Sequence, residues 1–299
     1  MIFDRQDGTH HCVLVCALYS TVAFGLYSRI EFKMNLVDKN VGNGAIVDVA
    51  EIIDWVPPEL PNLVEFYANN RATKWEGEIE QLHFPLNSPQ LTKDVEQYNF
   101  IAFHNYHKNL QRFSHLDNVT KNNPWFHFIC FFHQVMFKQM YFVSHFGSRY
   151  DVLSCLEIYL RLGLKPRIIK QGTSIISMCV EEFDQFYVDS YRYLSVSLHR
   201  ASKQFYLADY GKTFFPHDFL TLENVGYKGN FPPLSYYTSF NDTLESLAEK
   251  QAYLISQKDS KMDLRHFLSR YCHLDVLSLM LCCSAYMLQS FEVSQVKRM

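Results

Sequence analysis

From residue 126 onward, short apolar runs alternate with longer segments in which apolar residues recur at helical spacing. The short runs predict strands at 140–144, 168–169, 175–180 and 186–188, and the helical spacing predicts a helix over 152–162. Gln171-Gly172 separates two of these strands, which predicts a hairpin turn. Asp263 is placed to cap a further helix that runs through Tyr271. Alternating strands and helices indicate an α/β fold.

Three regions of the chain differ in composition and in the pattern of apolar residues. Residues 1–30 have a short polar start followed by a β-branched and aromatic run, and residues 126–299 carry the α/β pattern. Residues 31–125 are mixed, with a proline-rich loop at 56–61. The pattern leaves open whether this middle region is a folded insertion, a domain of its own or an artefact of gene prediction.

The apolar run over residues 12–27 raises the question of a signal or membrane segment. The residues before it include Asp4 and Asp7 against a single Arg5, whereas a secretory start is positively charged. The run is also shorter than the roughly 20 residues that span a bilayer. We therefore predict that this run and residues 126–146 are buried strand or helix and that the protein contacts no membrane, with an anchor at 12–27 as the alternative.

The cysteines indicate a reducing environment. Eight cysteines are scattered without the dense paired spacing of a disulfide scaffold, which favours an intracellular protein in the nucleus, mitochondrion or cytoplasm. Cys130 and His133 have no second pair at ligand spacing, so we expect no zinc site.

Charge restricts the way in which this chain can bind nucleic acid. The 299 residues are 48% hydrophobic, which favours a folded protein, and the formal net charge is −3. A uniformly basic binding surface is therefore excluded, and any nucleic-acid site must be a local patch. The candidate patch is Arg161, Lys165, Arg167 and Lys170, although such a run is more often a solvated surface.

Five short motifs follow one another between residues 144 and 275. They read Ser144-His-Phe-Gly-Ser-Arg-Tyr-Asp151, Leu164-Lys-Pro-Arg-Ile-Ile-Lys-Gln-Gly172, Val188-Asp-Ser-Tyr191, Gly211-Lys-Thr-Phe-Phe-Pro-His217 and Tyr271-Cys-His-Leu-Asp275. In this order they resemble the proofreading exonuclease domain of family B DNA polymerases, specifically the protein-primed branch of viruses, linear plasmids and large transposons. The resemblance implies an RNase H-like fold, in which a mixed sheet is flanked by helices. It also implies that the partners are a single-stranded DNA 3′ end and a terminal (priming) protein.

The resemblance implies a site for two divalent ions, Mg²⁺ or Mn²⁺. Such ions lie about 4 Å apart and clamp the attacking and leaving oxygens, and they prefer carboxylate ligands. The resemblance nominates Asp151 and Asp275 as metal ligands, together with Asp4 in the Phe3-Asp4 pair near the start of the sequence. Tyr271 lies one helical turn before Asp275 and would orient a water molecule. Lys212 would steady the scissile phosphate.

The same resemblance places five residues on the single strand. These are His145, Phe146, Tyr150, Ser190 and Tyr191. Phe146 stands where the family usually has an asparagine, so its ring is expected to stack on a base. Packing around a strand end is the alternative role for this set.

Two departures from the family limit the expected activity. The first motif is Phe-Asp-x-Glu in the family, whereas this chain has Gln6 in place of the glutamate after Asp4. We therefore expect impaired exonuclease activity, and a catalytically silent DNA- or protein-binding module is the alternative. The polymerase palm, fingers and thumb motifs are not found, so this chain alone is not expected to synthesise DNA.

Overall fold

A computed structural model describes residues 2–3, 10–11, 14–21, 26–33, 46–53, 101–102, 104–205, 207, 214–221, 223–238 and 242–296. The strands are β1 Ile2–Phe3, β2 His10–His11, β3 Leu14–Thr21, β4 Leu26–Lys33, β5 Ile46–Ile53, β6 Tyr141–Ser144, β7 Arg167–Gln171, β8 Ser174–Val180, β9 Gln185–Asp189, β10 Lys228–Asn230 and β11 Lys261–Asp263. The helices are α1 Asn118–Lys121, α2 Pro124–Phe132, α3 Asp151–Arg161, α4 Leu198–Gln204, α5 Leu244–Ser256 and α6 Leu264–Val296, and residues 101–102 and 104–112 are also helical.

A mixed sheet of four strands forms the centre of the described fold. Its order is β6-β9-β8-β7, in which β6 and β9 are parallel and the other neighbours are antiparallel. The parallel pair requires a crossover, and α3 with the β7–β8 hairpin supplies it. This mixed α/β arrangement is the predicted fold class and is compatible with an RNase H-like fold.

The predicted elements of this sheet are present with small shifts at their ends. The hairpin turn contains Gly172 with φ 60°, a left-handed conformation that glycine adopts at little cost. The predicted helix at 152–162 begins one residue earlier, at Asp151. At the start of α6, Asp263 Oδ1 accepts a hydrogen bond from His266 N at 3.3 Å, which confirms its predicted role as a cap.

One hydrophobic core lies against the sheet and is built largely from aromatic side chains. Asn123 and Pro124 start α2, because the Asn123 side chain accepts from Trp125 N and proline suits a first helical position. Phe126, Ile129 and Phe131 of α2 are at most 1% exposed. Burial of each such side chain stabilises the fold by about 1.5–3 kcal/mol.

The N-terminal strands form separate ladders. β3, β4 and β5 make an antiparallel sheet, and β1 pairs with β2. β3 contacts α2 and α6, and Val15 belongs to the same hydrophobic core as α2. The apolar run at 12–27 therefore contains a strand, as one of its two predicted structures. Among the described helices, none combines the length and apolar character needed to cross a bilayer.

The long helix α6 supports two smaller hydrophobic clusters. Leu264, Leu268 and Tyr271 belong to the first cluster, and Leu277 and Leu281 belong to the second cluster, which also includes residues of α4. Asp275 lies on α6 between these two sets. The core of α6 thus fixes where this carboxylate stands.

A buried pair of phenols inside the main core gives a test of the fold. Tyr159 of α3 and Tyr187 of β9 are at most 3% exposed, and their hydroxyl oxygens are 2.9 Å apart. Tyr159→Phe or Tyr187→Phe leaves one hydroxyl unpaired, so each should lower the free energy of unfolding by about 1–3 kcal/mol. The double variant should cost clearly less than the sum, because no unpaired hydroxyl remains.

Urea unfolding of the three variants measures these costs, with Tyr141→Phe as the control because Tyr141 lies on the same sheet but is 63% exposed. Strictly additive costs, or an equal cost in the control, would contradict the proposed pairing.

Candidate active site

Two of the five motifs meet where the neighbouring parallel strands β6 and β9 end. In the parallel pair, Ser144 at the end of β6 lies opposite Asp189 at the end of β9. Each strand then leads into a short 3₁₀ turn, Gly147–Arg149 after β6 and Ser190–Arg192 after β9. We call these the first turn and the second turn. Neighbouring parallel strands bring them together although they are about forty residues apart in sequence.

The carboxylate of Asp189 holds both turns. It accepts hydrogen bonds from Phe146 N at 2.9 Å and Ser148 N at 3.0 Å at the first turn, and from Tyr191 N at 3.0 Å in the second turn. Asp189 itself is only 3% exposed. Its burial is tolerated because three backbone donors take the place of water.

These hydrogen bonds also determine the ionisation of Asp189. Burial by itself would raise the pKa of this carboxyl, but the hydroxyl of Ser148 and the backbone N–H groups of Tyr191, Ser148 and Phe146 outweigh it. The net pKa lies below the usual value for aspartate, so Asp189 is ionised at neutral pH. Its oxygens are occupied by protein donors, which leaves it poorly suited to bind a metal.

His145 joins the same two turns from its side chain. Its Nε2 donates to Val196 O at 2.9 Å, and its Nδ1 lies 2.9 Å from Ser190 Oγ. Ser190 Oγ is also 3.0 Å from Ser144 O, to which it can donate. These hydrogen bonds hold the His145 ring between the strand ends. His145 and Ser190 therefore have a structural role in addition to the DNA-binding role that the sequence predicts for them.

Phe146 and Tyr191 form an aromatic pair across the two turns. Their ring centroids are 3.9 Å apart with an angle of 27° between the planes, and the His145 ring meets both edge-on. Phe146 is left-handed, with φ 62°, which costs a residue with a side chain about 1–2 kcal/mol. The bond from Phe146 N to Asp189 and the stack on Tyr191 offset this cost. Tyr150, the fifth nominated residue, follows the first turn and is 61% exposed.

Asp151 follows the first turn as the first residue of α3. A Cβ atom at Gly147 would lie 1.7 Å from Ser144 Oγ and 3.4 Å from Asp151 Oδ2. Only glycine therefore allows the turn to approach β6 this closely. Because Gly147 has no side chain, the chain can turn directly after β6, and Asp151 then lies at the ends of β6 and β9.

The surroundings of Asp151 disfavour the negative charge of its carboxyl group. Burial is the main cause that raises the pKa of its carboxyl to about 6, and the negative charges of Asp189 and Asp275 act in the same direction. The charge of Asp275 on α6 also helps to raise the pKa of Asp151 on α3, so the two carboxyl groups are electrostatically coupled. This coupling links the carboxyl groups that end the first and the last of the five motifs, and their predicted role as metal ligands stays a prediction.

Tyr271 lies one turn before Asp275 on α6 and is 5% exposed. Its ring packs against Phe215 with centroids 4.7 Å apart, and its hydroxyl is 3.5 Å from His217 Nε2. Much of this phenol is therefore held in the first cluster of α6. Its predicted role in orienting water stays a prediction.

Two nominated residues, Asp4 and Lys212, lie outside the described residues. The strand pairing of Phe3, which precedes Asp4, with His10 is described. Phe215, three residues after Lys212, is also described and stacks on Phe267 with centroids 5.7 Å apart. Within the part of the chain that the structure covers, no three His, Cys, Asp or Glu side chains are grouped to hold a metal ion. The three-carboxylate site therefore stays a prediction.

The basic run from Arg161 to Lys170 lies away from these groups. Arg161 is at the opposite end of α3 from Asp151, about 15 Å along the helix axis. Its guanidinium pairs with Glu157 at 2.8 Å, and that of Arg167 pairs with Glu181 at 3.4 Å. Acids from outside the run thus offset part of its charge. Glu157 is four residues before Arg161 on the same helix, a spacing at which side chains meet, whereas Glu181 comes from a more distant segment.

Asp189 belongs to one of the five motifs, but the sequence pattern alone assigned it no role. Its function depends on N–H groups of the first turn, which are more than forty positions away. The available signal was an aspartate directly after a strand and before a serine, a position at which aspartate often accepts from the following backbone.

Comparison with known proteins supports the resemblance to type B DNA polymerases at the level of the family. The family model described as DNA polymerase type B, organellar and viral, matches residues 131–299. A protein named "Probable DNA polymerase" from Neurospora intermedia is 25% identical over 145 residues, which are 46% of this chain and 15% of that protein. The chain therefore spans only a small part of this relative. No solved structure matches it significantly.

Since the family model covers more than half of the chain, this protein belongs to the organellar and viral type B DNA polymerases. The match includes both turns, α3 and α6, and so contains all the described residues of the candidate site.

The role of Asp189 can be tested by Asp189→Asn. The amide replaces one acceptor oxygen by a donor that faces a backbone N–H, so the free energy of unfolding should fall by about 2–4 kcal/mol. Because the pKa of Asp189 is lowered on folding, its contribution is present above the unfolded value near 3.9 and is lost as pH falls through the folded value.

The difference in stability between the natural protein and Asp189→Asn should therefore be constant above about pH 5 and shrink at lower pH. Urea titrations across the acid range measure it. Asp184→Asn, before the other end of β9, is the control and should change stability little. A pH-independent difference would contradict a role for the ionised Asp189.

Proposed function

We propose that this chain is the 3′–5′ exonuclease-like domain of a type B DNA polymerase of the protein-primed branch, and that it binds the 3′ end of single-stranded DNA. The observation that carries the proposal is the stacked Phe146–Tyr191 pair at the turn that leads into Asp151, a buried acid whose pKa the charge of Asp275 helps to raise. Family membership supports DNA as the substrate. A terminal protein is a further proposed partner.

The proposed ligands are carboxylates, whose oxygen atoms suit Mg²⁺ or Mn²⁺. The pKa of Asp151 is raised to about 6 because burial and neighbouring acids disfavour its charge, and a divalent cation would relieve that repulsion. Asp151, Asp275 and Asp4 would hold the metal, and Asp189 would not, because protein donors occupy its oxygens. Bound ions would polarise the terminal phosphodiester and supply a water nucleophile.

The remaining residues would position the strand. Phe146 and Tyr191 present ring faces and edges to a terminal base, and His145 with Ser190 fixes the backbone beneath them. Every base has an aromatic face, so such stacking is tolerant of sequence, as proofreading requires. Lys212 would neutralise charge at the scissile phosphate.

A second candidate is a catalytically silent module that binds DNA or a protein through the same surface. Gln6 in the position of the first-motif glutamate favours it, because a neutral amide supplies neither the charge nor the basicity of a carboxylate. The engagement of Tyr271 with Phe215 and His217 also favours it, because that phenol is already packed. Both candidates predict strand binding and differ in cutting.

The two candidates are separated by incubating the protein with an end-labelled single strand and Mn²⁺. An exonuclease shortens the strand from its 3′ end, and Asp275→Ala should slow this at least about 100-fold, since even residues that support metal ligands contribute about 10–100-fold. Asp259→Asn, an exposed carboxylate outside the site, is the control and should keep the natural rate. Binding without any shortening would support the silent module.

Strand binding can be tested at the aromatic pair. Phe146→Ala removes a stacking face worth about 1–3 kcal/mol per base, so affinity for an oligothymidylate should fall roughly 5- to 150-fold. Tyr236→Ala is a matched control, because Tyr236 and Phe146 are both 37% exposed. Fluorescence anisotropy measures both. An equal loss in the two variants would argue against a specific role for the pair.

A further inference from the structure

Each of the two turns carries an arginine beside an aromatic residue. Arg149 is the last residue of the first turn and Arg192 is the last residue of the second turn. Both are exposed, and neither forms an ion pair with any side chain in the described ranges. Two exposed cationic side chains therefore lie on the same two segments as Phe146 and Tyr191.

This arrangement differs from the basic run at residues 161–170. Arg161 and Arg167 of that run pair with acids at 2.8 and 3.4 Å and lie at the far end of α3 and on β7. An arginine that already pairs with a carboxylate has less to gain from a phosphate. Arg149 and Arg192 have no such competitor among the described residues.

The backbones that carry the two arginines are held in a fixed relation. Asp189 accepts from N–H groups of both turns, and the Phe146 and Tyr191 rings are stacked at 3.9 Å. In a single strand the phosphates alternate with the bases along the chain. A base that stacks on this pair therefore brings its flanking phosphates over the turns on which the arginines stand.

We propose that Arg149 and Arg192 contact phosphates of a single strand whose base stacks on the Phe146–Tyr191 pair. This inference rests on the proposed function and adds the path of the strand backbone to it. Proteins that bind single strands without sequence preference combine aromatic faces with cations in this way. Arginine suits the task, because its planar guanidinium can donate two parallel hydrogen bonds to a phosphate.

The salt dependence of binding tests this assignment directly. Each phosphate contact with a single strand contributes about 0.7 to the slope of log affinity against log salt. We expect Arg149→Gln and Arg192→Gln each to reduce the slope for an oligothymidylate by about 0.7, measured by anisotropy with a chelator present so that no strand is cut. Arg192→Lys keeps the charge and should keep the slope.

Two controls separate phosphate contact from other effects. Phe146→Ala should weaken binding while the slope stays unchanged, because stacking releases no counterions. Lys170→Gln removes an exposed charge of the basic run and should change neither quantity. An unchanged thermal unfolding midpoint in each arginine variant shows that the turns are intact.

The outcomes are distinguishable from failure of the proposed function. If the natural protein binds the strand but Lys170→Gln, and not the arginine variants, lowers the slope, the assignment of Arg149 and Arg192 is overturned and strand binding stands. The assignment is also overturned if both arginine variants keep the natural slope. If the natural protein does not bind the strand at all, the proposed function and this inference both fail.

Discussion

The candidate site depends on the carboxylate of Asp189, which is itself poorly suited to bind a metal. Asp189 accepts from backbone N–H groups of two turns that follow neighbouring parallel strands, and this holds the turns in register. Without it, three backbone donors would lose their partner and the left-handed Phe146 would lack its support. The aromatic pair and the start of α3 are positioned by the same interaction.

The negative charge of Asp189 has a second effect, on Asp151. A buried carboxylate with its own donors stays ionised, and its field adds to that of Asp275 and to the larger effect of burial in raising the pKa of Asp151 to about 6. Within one region, one acid is therefore stabilised as an anion and another is not. This difference in local hydrogen bonding distinguishes a structural carboxylate from one that would gain by binding a cation.

The sequence predicted much of the sheet and helix order in residues 126–299, because alternating β-branched runs, Gly172 and the Asp263 cap are local signals. It also nominated Asp151 and Asp275 through motif order. It did not predict the role of Asp189, which requires donors more than forty residues away, nor the ion pair of Arg167 with Glu181. Both depend on contacts between segments that are separated in the sequence, which the motif pattern does not encode.

The most direct test of the proposed site is the position of Mn²⁺ in crystals of this chain soaked with the metal and an oligothymidylate. We predict an anomalous peak between the carboxylates of Asp151 and Asp275, with the strand's terminal base against the Phe146 and Tyr191 rings. A peak elsewhere, or a strand bound along Arg161–Lys170 with no metal at these two acids, would contradict the proposed site.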